Sequence, residues 1–122
     1  MIIPDTSVWV AHFRGAATLL SMPPARHVRR LLHPFVYGEL LLGGLSGHEE
    51  HLTELRDLRP APIADVDEVA EFIDWAKLVG TGIGYVDTHL LISARMIPSA
   101  RVLTLDQKLH AQAERLGVAY TP

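Results

Sequence analysis

Four acidic residues stand where acids are costly. Asp5 follows Ile2-Ile3, and Glu39 sits between Phe35-Val36-Tyr37 and Leu40-Leu41-Leu42. Asp87 lies between Ile83-Gly84-Tyr85-Val86 and Leu90-Leu91-Ile92, and Asp106 ends the run Val102-Leu103-Thr104-Leu105. Acids are seldom fully buried unless paired or bound to a metal. The other ten of the fourteen acids lie in polar helix faces or caps. Capping accounts for any single aspartate of the four about as well as function does. It accounts poorly for all four, because Glu39 is a weak cap type. If the four converge, two carboxylates ~5 Å apart repel by about 3 kcal/mol at an effective dielectric of 20. Such a group either takes up protons or binds a cation. Oxygen-only ligation suits Mg²⁺, with Mn²⁺ as the alternative. These ions activate water, steady a phosphate and stabilise a leaving oxygen.

Convergence needs a scaffold, because 34, 48 and 19 positions separate the four acids in order. Met1-Ile2-Ile3 reads as a strand start, with Pro4 tolerated at its end. Asp5-Thr6-Ser7 offers caps for a helix from Val8 to Arg14, closed by Gly15. A second helix is expected from about Pro23 to Leu32, and His33 to Val36 reads as weakly extended. Ser46 to Glu49 has a capping-box pattern before Leu52, Leu55 and Leu58. Ala61 to Ala64 reads as a short strand. Asp65 and Glu68 repeat the capping box ahead of the stripe Val66, Val69, Ala70, Ile73 and Ala76. A helix from near Asp87 carries Leu90, Leu91, Ala94 and Ile97. Arg101 to Leu105 is the clearest strand, Asp106 caps a helix through Leu109, Ala113 and Leu116, and Val118 to Tyr120 closes as a strand. Alternating strands and helices imply βα units, a mainly parallel sheet and a three-layer α/β/α sandwich. In such a sheet, strand ends and helix starts share one edge, where ligand sites form, and the three aspartates are expected at helix starts with Glu39 near one.

The 122 residues suit one domain, 1–122, and 48% hydrophobic content argues against disorder. There is no cysteine, which removes disulfide scaffolds, Cys-ligated zinc and thiolate nucleophiles. No uncharged stretch is long enough to span a bilayer. The N-terminus lacks a basic region and leader-length apolar segment, so a cytoplasmic protein is expected. The net charge of −3 argues against binding nucleic acid by Coulomb attraction alone. With the four acids set aside, eleven basic residues against ten acids leave +1, and two divalent cations would cancel the four.

Asp5-Thr6-Ser7-Val8-Trp9, His33-Pro34-Phe35-Val36-Tyr37-Gly38-Glu39-Leu40, Gly84-Tyr85-Val86-Asp87 with Leu91-Ile92-Ser93-Ala94, and Leu103-Thr104-Leu105-Asp106 occur in that order. Together they resemble the PIN-domain ribonucleases, in particular the VapC toxin branch of bacterial and archaeal toxin–antitoxin pairs. The resemblance covers nearly the whole chain. It implies a Mg²⁺-dependent endoribonuclease in which Asp5, Glu39, Asp87 and Asp106 form the catalytic metal site, with Thr6 and Thr104 at hydroxyl positions beside it. It further implies a homodimer and a VapB-type antitoxin that wraps the toxin. Pro4, in place of a small aliphatic, and Leu109, in place of Phe, depart from the family pattern without touching the acids.

Other signals have plainer readings. Gly80-Thr81-Gly82-Ile83-Gly84 follows a helix rather than a strand, so it reads as a connector, not a phosphate loop. His48-Glu49-Glu50-His51 lacks zinc-protease spacing and reads as a solvated face. Arg26, Arg29 and Arg30 form a basic patch, either solvated or an RNA backbone contact. His89 is expected on a helix surface. Trp9, Phe13 and Trp75 are core or dimer contacts. The competing functions are a catalytically silent RNA- or protein-binding PIN-like module, a receiver-like module, and a phosphatase with Asp5 as nucleophile. The receiver needs a second acid after Asp5, where Thr6 stands. The phosphatase usually wants an aspartate at the position of Ser7.

Overall fold

The computed structural model of the chain describes residues 1–16, 20–21 and 27–121. Strand β1 (Ile2–Pro4) is buried along its whole length. On one side it pairs in parallel with Arg101–Leu103 (β4), Ile2 opposite Arg101 and Pro4 opposite Leu103. Pro4 has no N–H, and the Asp5 N–H carries the ladder onward to the Leu103 carbonyl at 2.9 Å. On the other side Ile2 bridges to Arg30, next to β2 (Leu31–Leu32), which pairs in parallel with β3 (Arg59–Pro60). Val102 bridges to Ala119. The parallel order is therefore β3, β2, β1, β4 and the segment around Ala119, with the first strand central.

Six helices are described: α1 (Thr6–Phe13), α2 (Pro34–Leu42), α3 (Glu49–Arg56), α4 (Val66–Trp75), α5 (Tyr85–Met96) and α6 (Gln107–Arg115), with a 3₁₀ turn at Leu45–Gly47. α1 packs on β1 and against α2; α5 and α6 pack on β4, and α4 packs on α5. This is the expected α/β/α arrangement around a parallel sheet. Ile2, Ile3, Trp9, Leu31, Leu90 and Leu103 are at the centre of the main apolar core. Among the described residues no helix is long and apolar enough to cross a membrane.

Several local expectations are overturned. Of residues 33–36 only His33 is extended: Pro34 opens α2, where its fixed φ suits the first helical position and its missing N–H costs nothing. The His33 Nδ1 accepts the Phe35 N–H at 3.0 Å and caps the helix. Of the helix expected at Pro23 to Leu32, residues 23–26 lie outside the described residues, and Leu31–Leu32 form a strand. The strand expected at Ala61 to Ala64 falls at Arg59–Pro60. Pro60 and Pro62 flank Ala61, whose N–H alone reaches the Leu32 carbonyl at 2.9 Å. His48, not Ser46, is the N-cap of α3, and Leu58 lies beyond that helix. The Asp65–Glu68 capping box forms in full, but Val66 and Ala70 of the stripe behind it are exposed, and Phe72 packs in their place. Trp9 is fully buried and so belongs to the core. Trp75 is exposed, with the Arg95 guanidinium 4.6 Å over its ring.

His89 is not on the surface. It is 2% exposed, and His33 is completely buried. Their ring centroids are 5.7 Å apart, and Phe35 and Tyr85 each meet the His89 ring edge-on. Neither nitrogen of His89, nor Nε2 of His33, finds a hydrogen-bond partner among the described residues. Burial disfavours the imidazolium in both rings, and His33, facing His89 as well, is lowered to about 4. The unfolded chain takes up the His33 proton near pH 6.5, whereas the native chain does so only near pH 4. Stability from this residue is therefore complete above pH 6.5 and is lost as pH falls towards 4, by up to about 3 kcal/mol. His33→Asn keeps a capping acceptor but cannot be protonated. Its urea midpoint should fall less than the wild type's between pH 7 and pH 4.5.

Candidate active site

All four acids lie at the carboxyl-terminal edge of the parallel sheet, reached by different routes. β1 runs directly into Asp5, which is the N-cap of α1. β4 is followed by Thr104, Leu105 and Asp106, the N-cap of α6. Asp87 lies in the first turn of α5, entered through Gly84. Glu39 differs from expectation: it lies well inside α2, five residues past Pro34, and not near a helix start. Helix N-termini favour negative charge at Asp5, Asp87 and Asp106, a support that Glu39 lacks.

Asp5 is buried and the most heavily bonded. Its Oδ1 accepts the Ser7 hydroxyl at 2.6 Å and the Val8 N–H at 3.1 Å. Its Oδ2 accepts the Thr104 hydroxyl. Both hydroxyls are oriented in turn. Ser7 Oγ accepts the Leu105 N–H at 3.2 Å, and Thr104 Oγ1 accepts the Asp106 N–H at 2.9 Å. These bonds lock the loop after β4 onto the loop after β1. Asp106 is exposed and accepts the Lys108 and Leu109 N–H groups through Oδ1. Glu39, also exposed, accepts the Thr6 hydroxyl at 2.6 Å, which ties α2 to α1. Thr6 and Thr104 thus each donate a hydroxyl hydrogen bond to one of these acids. Ser7 was missed as a supporting group. The signal available was its position two residues after Asp5, where a hydroxyl reaches back to the carboxylate.

Asp87 is held up to about 6. Burial is the largest cause, followed by the negative charge of Asp5. A backbone hydrogen bond at Gly84 opposes the shift, and the charges of Asp106 and Glu39 add to it. Asp87 therefore feels all three other carboxylates across the site. Among the described residues, however, no three His, Asp or Glu side chains close into a finished metal-binding group. The acids share a field while Asp5, Glu39 and Asp106 each accept hydrogen bonds from local donors. The 80–84 connector precedes α5 as a loop rather than a phosphate cradle. Gly82 is at φ +84°, and a Cβ there would stand 3.0 Å from the Lys108 Cδ.

No family model matches the chain. Among curated proteins it is 37% identical to "Ribonuclease VapC32" of two Mycobacterium tuberculosis strains, H37Rv and CDC 1551, over 98% of this chain and 95% of the relative. Among solved structures, PAE2754 from Pyrobaculum aerophilum superposes with a TM-score of 0.59 at 16% identity, covering 98% of this chain and 87% of that one. The latter likeness concerns the fold alone.

The raised Asp87 has a definite consequence for stability. The native chain holds the Asp87 proton up to about pH 6, the unfolded chain only to about 3.8. Ionised Asp87 therefore destabilises the fold as pH rises through that window, and the penalty is complete above it. Without divalent metal, Asp87→Asn should raise the melting temperature at pH 7.5, and the gain should vanish below about pH 4. An equal gain at both pH values would mean that the acid cluster is not its source.

Proposed function

The chain belongs to the VapC-type PIN-domain ribonucleases, and from that premise we propose that it is a Mg²⁺-dependent endoribonuclease acting as the toxin of a toxin–antitoxin pair. The observation that carries this reading is the placement of Asp5, Glu39, Asp87 and Asp106 at one sheet edge, near enough for the other three charges to bear on Asp87. Four carboxylates with hydroxyl neighbours, and no sulfur or free imidazole among them, form the donor set of a hard divalent cation. Bound there, Mg²⁺ or Mn²⁺ would supply water activation and neutralise charge at the phosphate and leaving oxygen. Asp5, Glu39, Asp87 and Asp106 would hold the ion in this reading, Asp5 from the buried side and Glu39 and Asp106 from the exposed side. Thr104 and Ser7 hold the Asp5 carboxylate in one orientation, and Thr6 does the same for Glu39. Residues 1–122 form one PIN domain in this reading, and the protein acts in the cytoplasm, where its RNA substrate is.

The reaction that follows is hydrolysis. The oxygen of water joins phosphorus, the bond from phosphorus to the 3′ oxygen breaks, and the 3′ oxygen takes the proton. Products should carry 5′-phosphate and 3′-hydroxyl ends, and cleavage should stop on chelation. Asp5→Asn should lower the cleavage rate by at least about 100-fold while leaving the protein folded. End-group mapping checks the chemistry: 2′,3′-cyclic phosphate ends would overturn it and make the RNA 2′-hydroxyl the nucleophile.

The partners follow from the same electrostatics. A VapB-type antitoxin that places an Arg or Lys among the four acids relieves the repulsion that Mg²⁺ relieves. A homodimer is part of the same family-based reading. Antitoxin affinity, measured by calorimetry, should fall as Mg²⁺ is raised. An affinity unchanged by both Mg²⁺ and Asp87→Asn would show that inhibition works away from the acids.

A further inference from the structure

An open cleft of about 460 Å³ leads away from the candidate site between α1, α2 and the start of α3. Thr6 and Glu39 bound one end, so the cleft reaches one of the four acids and the hydroxyl bonded to it. Phe13, Arg14, His48 and His51 bound the other. The ring of His51 lies 4.3 Å from Phe13 at 21° between planes, and 5.4 Å from His48 at 18°. Three rings are thus nearly parallel at the far end, and His48 is exposed. Arg14, the C-cap of α1, is exposed beside them.

We infer that this cleft is a nucleotide subsite: the His48–His51–Phe13 rings stack a base of single-stranded RNA next to the scissile phosphate, and Arg14 meets a neighbouring phosphate. The inference rests on the ribonuclease reading above. A phosphodiester held at the acids belongs to a polymer, which must continue along the surface in both directions, and this cleft opens directly beside Glu39. Single-stranded nucleic acid is gripped by flat rings for the bases and cations for the backbone. The cleft carries both on its far wall, while its acid end fits the metal-neutralised phosphate. The histidine pair expected to be a solvated face thus has a defined role. The rings read base faces without reading base edges, so the subsite favours unpaired RNA over duplex.

The test is binding and cleavage of a fluorescent single-stranded RNA oligonucleotide by the full chain, with thermal melts as a folding control. His48→Ala and His51→Ala should each raise Kd in EDTA, and KM in Mg²⁺, by ~10-fold, with kcat changed less than about 2-fold. His51→Phe keeps a flat ring and should restore wild-type affinity. Hydrolysis of bis(4-nitrophenyl) phosphate, which has no flanking nucleotide, should be unchanged in all three. Unaltered RNA affinity in His48→Ala and His51→Ala, with cleavage still abolished by Asp5→Asn, would overturn the subsite and leave the ribonuclease reading standing. So would variants that bind RNA normally but lose a polypeptide inhibitor, which would make the cleft a protein-docking face. Failure of the wild type to bind or cleave any RNA would overturn both.

Discussion

Repulsion among four carboxylates at one sheet edge is the constraint around which the rest of this structure is arranged. The parallel order around β1 brings the loops after β1 and β4 side by side, and those loops deliver Asp5 and Asp106. Local donors then offset the charge unequally. Asp5 accepts two hydroxyls and one backbone N–H, Asp106 two backbone N–H groups, and Glu39 one hydroxyl. Asp87, half-buried, facing the other three and supported by one backbone hydrogen bond at Gly84, has its ionisation pushed up, by burial first and by the facing charges second. Burial and gathered negative charge thus act together on this side chain. A divalent cation would relieve the repulsion and draw the oxygens into a common set.

Beneath this edge the His33–His89 pocket works in the opposite electrostatic sense. His33 caps α2, which carries Glu39, and His89 follows Asp87 on α5. Their contact joins the two helices that bring acids from outside the central strand pair. Both rings are held neutral by burial, so the pocket adds packing without charge. As pH falls from about 6 to 4, neutralising Asp87 strengthens the fold while the demand to protonate His33 weakens it. The two opposed terms overlap in one window, so the wild-type stability is flatter with pH than either residue alone would make it.

How much of this was legible in the sequence depended on how locally each feature is determined. Asp5, Asp87 and Asp106 were readable because each is the cap or first turn of a helix and stands against an apolar run. The Asp65–Glu68 capping box was readable for the same reason. Glu39 was recognised as out of place, but its position inside α2 was not, because His33-Pro34 reads equally as an extended pair or a helix start. Strands of two residues, such as Leu31–Leu32 and Arg59–Pro60, are too short to show a period of two. They pair with each other across a long sequence gap. His89 was misplaced because a histidine's polarity says nothing about a pocket built from His33, Phe35 and Tyr85, two of them on another helix. The role of Ser7 appears only when the Leu105 backbone is brought to its oxygen.

The net charge of −3 first argued against a polyanionic substrate. The layout of the site turns that objection into a division of labour. In the proposed reading, negative charge is concentrated where a divalent cation would reverse its effect on a phosphate, so affinity for the scissile phosphate would depend on metal. The rings and Arg14 at the far end of the adjoining cleft lie outside that group. Base stacking needs no metal and is less sensitive to salt than phosphate contacts are. A substrate gripped by both parts is held by two independent terms. Only a strand long and flexible enough to reach from the acids to the rings gains from both. Selection for unpaired RNA then follows from the spacing of two local sites, without a basic surface over the whole protein.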